Sequence, residues 1–147
     1  DRRLTWKNHI IAKRNEINIK LKRMYWLLGR RSTLTINNKL LLYKVMIIPI
    51  WTYGIMLWGC AKASNLNIIQ RTQNKALRTI ADAPWYIRNE TLHNDLNITT
   101  VKEEIRKRTE NYIARLHRHP NPLAINLLLD EEPNNRRLQI NHVLDNV

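Results

Sequence analysis

Residues 40–61, LLLYKVMIIPIWTYGIMLWGCA, carry a single charge, Lys44, between segments that are polar and strongly basic. Any fold of this chain has to accommodate that run, because its side chains gain free energy by leaving water. Over INNKLLLYKVMII, leucine, valine and isoleucine fall on every side of a helical wheel, the pattern of a helix at the centre of a bundle or in a membrane. Pro49 removes an amide and clashes with the preceding turn, which predicts a kink or break there. Gly54 and Gly59 then either admit a neighbouring backbone or loosen the helix. The run is long enough to cross a bilayer. Against a membrane span stand Lys44, Pro49 and the amphipathic helices on both sides, each of which needs a central partner to cover its stripe.

Those flanking helices are legible from their periodicity. Thr5 can cap a helix from about Trp6, on which Ile10, Ile17, Leu21, Met24 and Leu28 recur at spacings of three, four and seven and form one stripe. Lys13 and Lys20 flank that stripe, Arg23 lies further round, Gly29 offers a stop, and Arg30 and Arg31 follow in an exposed turn. After the apolar run, Ser64 is a cap candidate for NLNIIQRTQNKALRTIA. There Leu66, Ile69, Gln73, Ala76, Leu77 and Ile80 share one face, and Arg71, Lys75 and Arg78 share the opposite one. Pro84 ends that helix, and Trp85 and Tyr86 are expected to pack. A short helix through Glu90 to Leu96 with Asn89 as cap leads to a long one opened by Thr100, whose spacing to Glu103 is that of a capping box. Its inner face is Val101, Ile105, Thr109, Tyr112, Ile113 and Leu116. Glu103 to Lys107 and Glu104 to Arg108 are expected exposed ion pairs, so this helix reads as scaffold.

The expected fold is therefore all-α, a helical bundle around a central kinked apolar helical segment with an irregular C-terminal tail. Few glycines and no phenylalanine agree with helices better than with a turn-rich β-sandwich. Residues 1–119 form one helical domain in this reading, and 120–147 a short helix, an acidic linker and a tail. The chain opens on Asp1 rather than Met, which suggests a fragment of a longer polypeptide.

Net charge is +13, and it is segregated: residues 1–80 hold 16 Lys or Arg against 2 acidic residues, whereas 81–147 hold 9 against 10. Solubility does not require such segregation, whereas a polyanion gives it a use, since each Lys or Arg placed on a phosphate releases the counterions condensed there. Nucleic acid is the expected partner, with Lys13, Lys20, Arg23, Arg30, Arg31, Arg71, Lys75 and Arg78 as the contact set. An alternative is a helical interaction module docking on an acidic protein partner; a membrane-spanning protein is a weaker one. The lone Cys60 cannot close an internal disulfide and fits a reduced intracellular setting.

A catalytic centre is not legible. His117 and His119, two apart on a helix, diverge; His9, His93 and His142 are isolated, and no P-loop or nucleophile elbow occurs. The basic half offers only Asp1 and Glu16, too few carboxylates for two-metal phosphoryl transfer. No cofactor is expected to be bound by this chain.

The phrases DRRLTWKNHI, NKLLLYKVMIIPIWTYGIMLWGCA, IIQRTQNKALRTIADAPWYIRN and TVKEEIRKRTENYIARLHRHPNPLA, in that order across nearly the whole chain, resemble the C-terminal region of reverse transcriptases from insect non-LTR (LINE-type) retrotransposons, the jockey group most of all. The resemblance implies the thumb and extension of an RNA-directed DNA polymerase, with residues 1–6 the tail end of a missing palm. It implies an RNA–DNA hybrid or template–primer duplex as partner, beside the palm and fingers of the same polypeptide. The palm would hold the catalytic aspartates and the Mg that the parent polymerase needs. Nucleus and cytoplasm are the compartments expected for such an enzyme. An isolated thumb would expose its palm-facing surface, and self-association is expected from that.

Overall fold

The computed structural model describes residues 5–121; residues 1–4 and all but the first two residues of the segment expected over 120–147 as a short helix, acidic linker and tail lie outside the described residues. Among the described residues the chain forms eight helical segments and no strand: α1 (Lys7–Arg23), α2 (Tyr25–Leu28), α3 (Ile36–Met46), α4 (Ile48–Thr52), α5 (Ile55–Trp58), α6 (Ala63–Ile80), α7 (Asn89–Asp95) and α8 (Val101–His117). The all-α expectation holds.

Helix α1 starts one residue later than the hydroxyl of Thr5 would set it. Trp6 is the N-cap, with φ 58° and no side-chain cap, and its carbonyl accepts from the Ile10 amide at 2.9 Å. The Trp6 indole lies edge-on to His9, 5.9 Å away, and the Trp58 ring is 6.5 Å from the same imidazole. The stripe is buried at Ile10, Ile17, Met24 and Leu28, with Leu21 packed against it. The helix breaks at Met24, however, so α2 is a separate turn that leaves Tyr25 and Trp26 in water. Gly29 ends α2 in an extended conformation, and the buried Lys39 ammonium donates to its carbonyl at 2.9 Å.

The apolar run is cut twice. Thr35 caps α3, accepting from the Asn38 amide, and the first break falls at Ile47, two residues before Pro49, which sits in the first turn of α4. The second lies at Gly54, whose φ of +64° only glycine adopts freely and which starts α5. Across both breaks one stripe stays buried: Leu40, Tyr43, Ile47, Trp51, Ile55 and Trp58. The wheel that is apolar all round is thus buried on one face only, and Leu41, Val45, Met46 and Leu57 are exposed. No helix among the described residues is long and apolar enough to cross a membrane. The membrane alternative has no support here, because the two breaks leave no continuous apolar helix of spanning length.

Helix α6 packs on α1, α3, α7 and α8. Its start is set by the Lys62 carbonyl, which accepts from Asn65 and Leu66, and not by Ser64, which lies inside the first turn. The buried face is the expected one, Leu66, Ile69, Gln73, Ala76, Leu77 and Ile80, with Thr72 added. Helix α7 is one residue longer at its start than expected: Arg88 is the N-cap, and Asn89 is helical, its side chain taken by Arg78. Helix α8 has the full capping box at Thr100 and Glu103. Glu104 pairs with Arg108 at 2.7 Å; among the described residues Glu103 makes no ion pair with Lys107, because its carboxylate accepts from the Thr100 amide. Val101, Ile105, Thr109 and Leu116 are buried, while Tyr112 and Ile113 are half-buried.

The close approach of α5 to α8 depends on Gly59, where an added Cβ would lie 3.1 Å from Ile105 Cγ2 and 2.6 Å from the Ile55 carbonyl oxygen. Its backbone is helical, so alanine there would ordinarily help by about 1 kcal/mol. Gly59→Ala is instead expected to destabilise by about 1–3 kcal/mol through overpacking, read as a lower urea midpoint at unchanged m-value. His9 offers a second check. Burial first, and the nearby Lys13 charge second, hold its imidazole below the ordinary histidine value. The folded chain therefore binds that proton less readily than the unfolded chain, so the contribution of His9 is present above about pH 6.5 and lost as pH falls. His9→Phe is expected to make the stability profile shallower below that pH in urea titrations.

Candidate nucleic-acid interface

Two contacts report the geometry of the basic half. At the start of α6, Asn65 Nδ2 donates to the Thr5 carbonyl at 3.0 Å; beyond the other ends, Arg30 Nε lies 3.2 Å from the Asp82 carboxylate. Helices α1 and α6 therefore run parallel, and both C-terminal ends emerge together.

At 100° per residue, Lys13, Lys20 and Arg23 fall on one flank of the α1 stripe, and Arg14, Asn18 and Lys22 on the other. Lys20 and Arg23 line a shallow groove with Glu16, Met46 and Ile50. Lys13 is engaged locally, with its ammonium 3.1 Å from Glu16 and 5.8 Å from the centre of the Tyr53 ring. The opposite flank faces α6 across an open groove of about 690 Å³, whose walls include Asn18, Lys22, Tyr25, Lys75 and Thr79. Arg71 is exposed one turn before Lys75.

Arg78 has a different environment. Its guanidinium donates to the Pro84 carbonyl, to the Ile87 carbonyl at 2.8 Å and to Asn89 Oδ1 at 2.9 Å, so it clamps the loop that follows α6. That loop displays Trp85 and Tyr86 to solvent, contrary to the expectation that they pack: Arg78 fastens the loop through its backbone, which leaves the two rings outside. Arg30 shares its charge with Asp82, and Arg31 is exposed beside it.

The eight expected residues therefore do not form one patch. Lys75 and Arg71 face one way, Lys20 and Arg23 another, and Arg78 holds a loop. The structure adds Lys22, which lines the same groove as Lys75. The charge of Lys22 was visible in the sequence, but choosing the flank of α1 that faces α6 requires the packing. Lys107, Arg108 and Arg115 of α8, outside the expected set, line a groove of about 440 Å³ with Gly54, Met56 and Glu104, the last paired with Arg108.

Groups capable of chemistry are otherwise occupied. Burial raises the Cys60 thiol above its ordinary value, and its sulfur donates to the Leu57 carbonyl. His93 is buried, with Nδ1 donating to the Ile98 carbonyl at 2.8 Å and Nε2 set against Gln70 and Asn74. Gln70 accepts from the Val101 amide and Gln73 donates to the Thr99 carbonyl, so these polar groups join α6 to the start of α8. Among the described residues no group of three His, Cys, Asp or Glu could hold a metal ion.

Comparison with known proteins gives the basic surface a context. A Drosophila melanogaster protein named probable RNA-directed DNA polymerase from transposon BS is 45% identical over 128 residues, 87% of this chain and 14% of that protein. Its counterpart from transposon X-element is 44% identical over 138 residues, 94% of this chain and 15% of that protein. The chain is a relative of transposon RNA-directed DNA polymerases. The RNA-directed DNA polymerase from mobile element jockey of Drosophila funebris, a non-LTR element, is 37% identical over 84% of this chain and 14% of its own length. The chain thus spans about a seventh of the length of these transposon relatives. No family model matches, and no solved structure shows a significant match.

The two ends of the α6 ridge should respond differently to truncation. Arg78→Ala removes the donor to two carbonyls and an amide oxygen, which water can partly replace, and is expected to cost about 1 kcal/mol, whereas Arg71→Ala should stay within about 0.5 kcal/mol. Urea denaturation followed by circular dichroism separates the two.

Proposed function

We propose that this chain is a thumb-like nucleic-acid-binding portion of an RNA-directed DNA polymerase from a jockey-type mobile element, gripping the template–primer duplex. The observation that carries this reading is the parallel α1–α6 pair, where Lys22, Arg71 and Lys75 are exposed and α6 contains no acidic residue to neutralise them. The names of the transposon relatives supply the enzyme class.

The mechanism is positional. Cations along a helical surface bind the phosphates of an A-like hybrid through charge and shape, without reading bases, so the grip survives as the polymerase advances. The chemistry falls to the palm of the parent polypeptide, whose carboxylates would hold Mg; no step of it is assigned to these residues. The exposed Leu41, Val45, Met46 and Leu57 suit docking against the palm and fingers, and self-association when those are missing. Nucleus and cytoplasm are the compartments in which such an enzyme would work.

Binding of an RNA–DNA hybrid, followed by fluorescence anisotropy across a salt series, tests the reading. Replacing Lys22, Arg71 and Lys75 together by alanine is expected to weaken binding and reduce the slope of log affinity against log salt by about 2–3, near 0.9 for each phosphate no longer neutralised. An unchanged slope in the folded variant would reject this surface.

A further inference from the structure

The loop between α6 and α7 is firmly held, yet it presents the two aromatic rings that the core does not use. Trp85 is 88% exposed and Tyr86 69%, their rings edge-on with centroids 6.0 Å apart. Arg78 ties the backbone on both sides of them, at Pro84 and Ile87. Asp82, in a left-handed conformation at φ 49°, turns the chain out of α6 and pairs with Arg30. With the backbone already tied, binding has only the two side-chain torsions of each ring left to order.

Two cations lie near these rings in the chain: Arg88, two residues after Tyr86, and Arg31, next to the Arg30 that pairs with Asp82. Arg31 and Arg88 are exposed and make no ion pair among the described residues. Flat π faces next to free guanidinium groups match unpaired nucleotides, which offer a base to stack and a phosphate to neutralise. The position agrees. Because α1 and α6 are parallel, the loop lies where the groove of Lys22 and Lys75 ends, past Tyr25 and Thr79. A strand leaving a duplex held along that groove would meet the loop.

We infer that Trp85 and Tyr86 are a stacking platform for unpaired nucleotides, with Arg31 and Arg88 supplying charge to their phosphates. The inference rests on the nucleic-acid-binding reading above and adds to it a single-strand contact made through bases.

The test measures binding of the whole chain to oligo(U) and oligo(dT) of about twelve nucleotides, to an abasic strand of equal length and to the hybrid duplex, all at one salt concentration. For Trp85→Ala/Tyr86→Ala, affinity for at least one of the base-bearing strands is expected to fall about fivefold or more, and the strand affected identifies RNA or DNA as the ligand. Binding of the abasic strand and the duplex should change by less than about twofold, since neither offers an unstacked base. No loss on either base-bearing strand, or an equal loss on the abasic strand, overturns the platform. Single variants separate stacking from apolar docking: Trp85→Phe should retain most of the affinity and Trp85→Leu should lose it, and equal binding by the two rejects stacking. A chain that grips the hybrid but is indifferent to these changes sinks the platform alone. One that binds no nucleic acid sinks both readings.

Discussion

The parallel alignment of α1 and α6 constrains everything built around it. Parallel helices place like ends of their macrodipoles side by side, which costs free energy unless charge at the ends offsets it. Here the two C-terminal ends carry Lys20, Lys22, Arg23 and Arg78 in their last turns, each able to compensate carbonyls that lack intrahelical partners. Arg78 extends this beyond its own helix by binding carbonyls of the next loop. Part of the positive charge of the first half therefore stabilises the fold, and the functional surplus is smaller than +13 suggests.

Beneath that pair the apolar run behaves as a hinged strip. An unbroken helix would carry its apolar stripe straight past α1 and α8; the breaks at Ile47 and Gly54 let one stripe follow the curve of the core. The largest fully buried side chains, Trp51, Trp58 and Tyr43, all come from it. Their area makes them the strongest anchors available to a domain of this size. At Gly59 the strip comes within reach of Ile105, which brings α8 onto the core.

Polar groups fix the relation of α6 to the second half. Gln73, on an apolar face, donates to the Thr99 carbonyl, and Gln70 accepts from the Val101 amide, so the polar atoms between the two elements are paired. Directional bonds of this kind set a register that apolar contact alone leaves free. The result is a helical scaffold with a basic groove on one side and a clamped aromatic loop at its end.

The sequence by itself determined the all-α class, the buried face of α6, most of those on α1 and α8, the capping box at Thr100, and the excess of positive charge, because each depends on residues within a few turns of one another; exact helix starts and the break at Met24 were not legible. It also carried the likeness to transposon polymerases in strings spread along the chain. Tertiary structure decided which cations are free. Lys75 and Arg78 are indistinguishable on a wheel, yet one lines a groove with Lys22 and the other binds a loop nine residues on. It likewise decided that Trp85 and Tyr86 face water and that Leu41, Val45, Met46, Tyr53 and Leu57 of the apolar run are uncovered. The reason is physical: periodicity reports which side of a helix avoids water, whereas the neighbour that a charge or a ring meets depends on how distant helices are set against each other, and no local pattern encodes that.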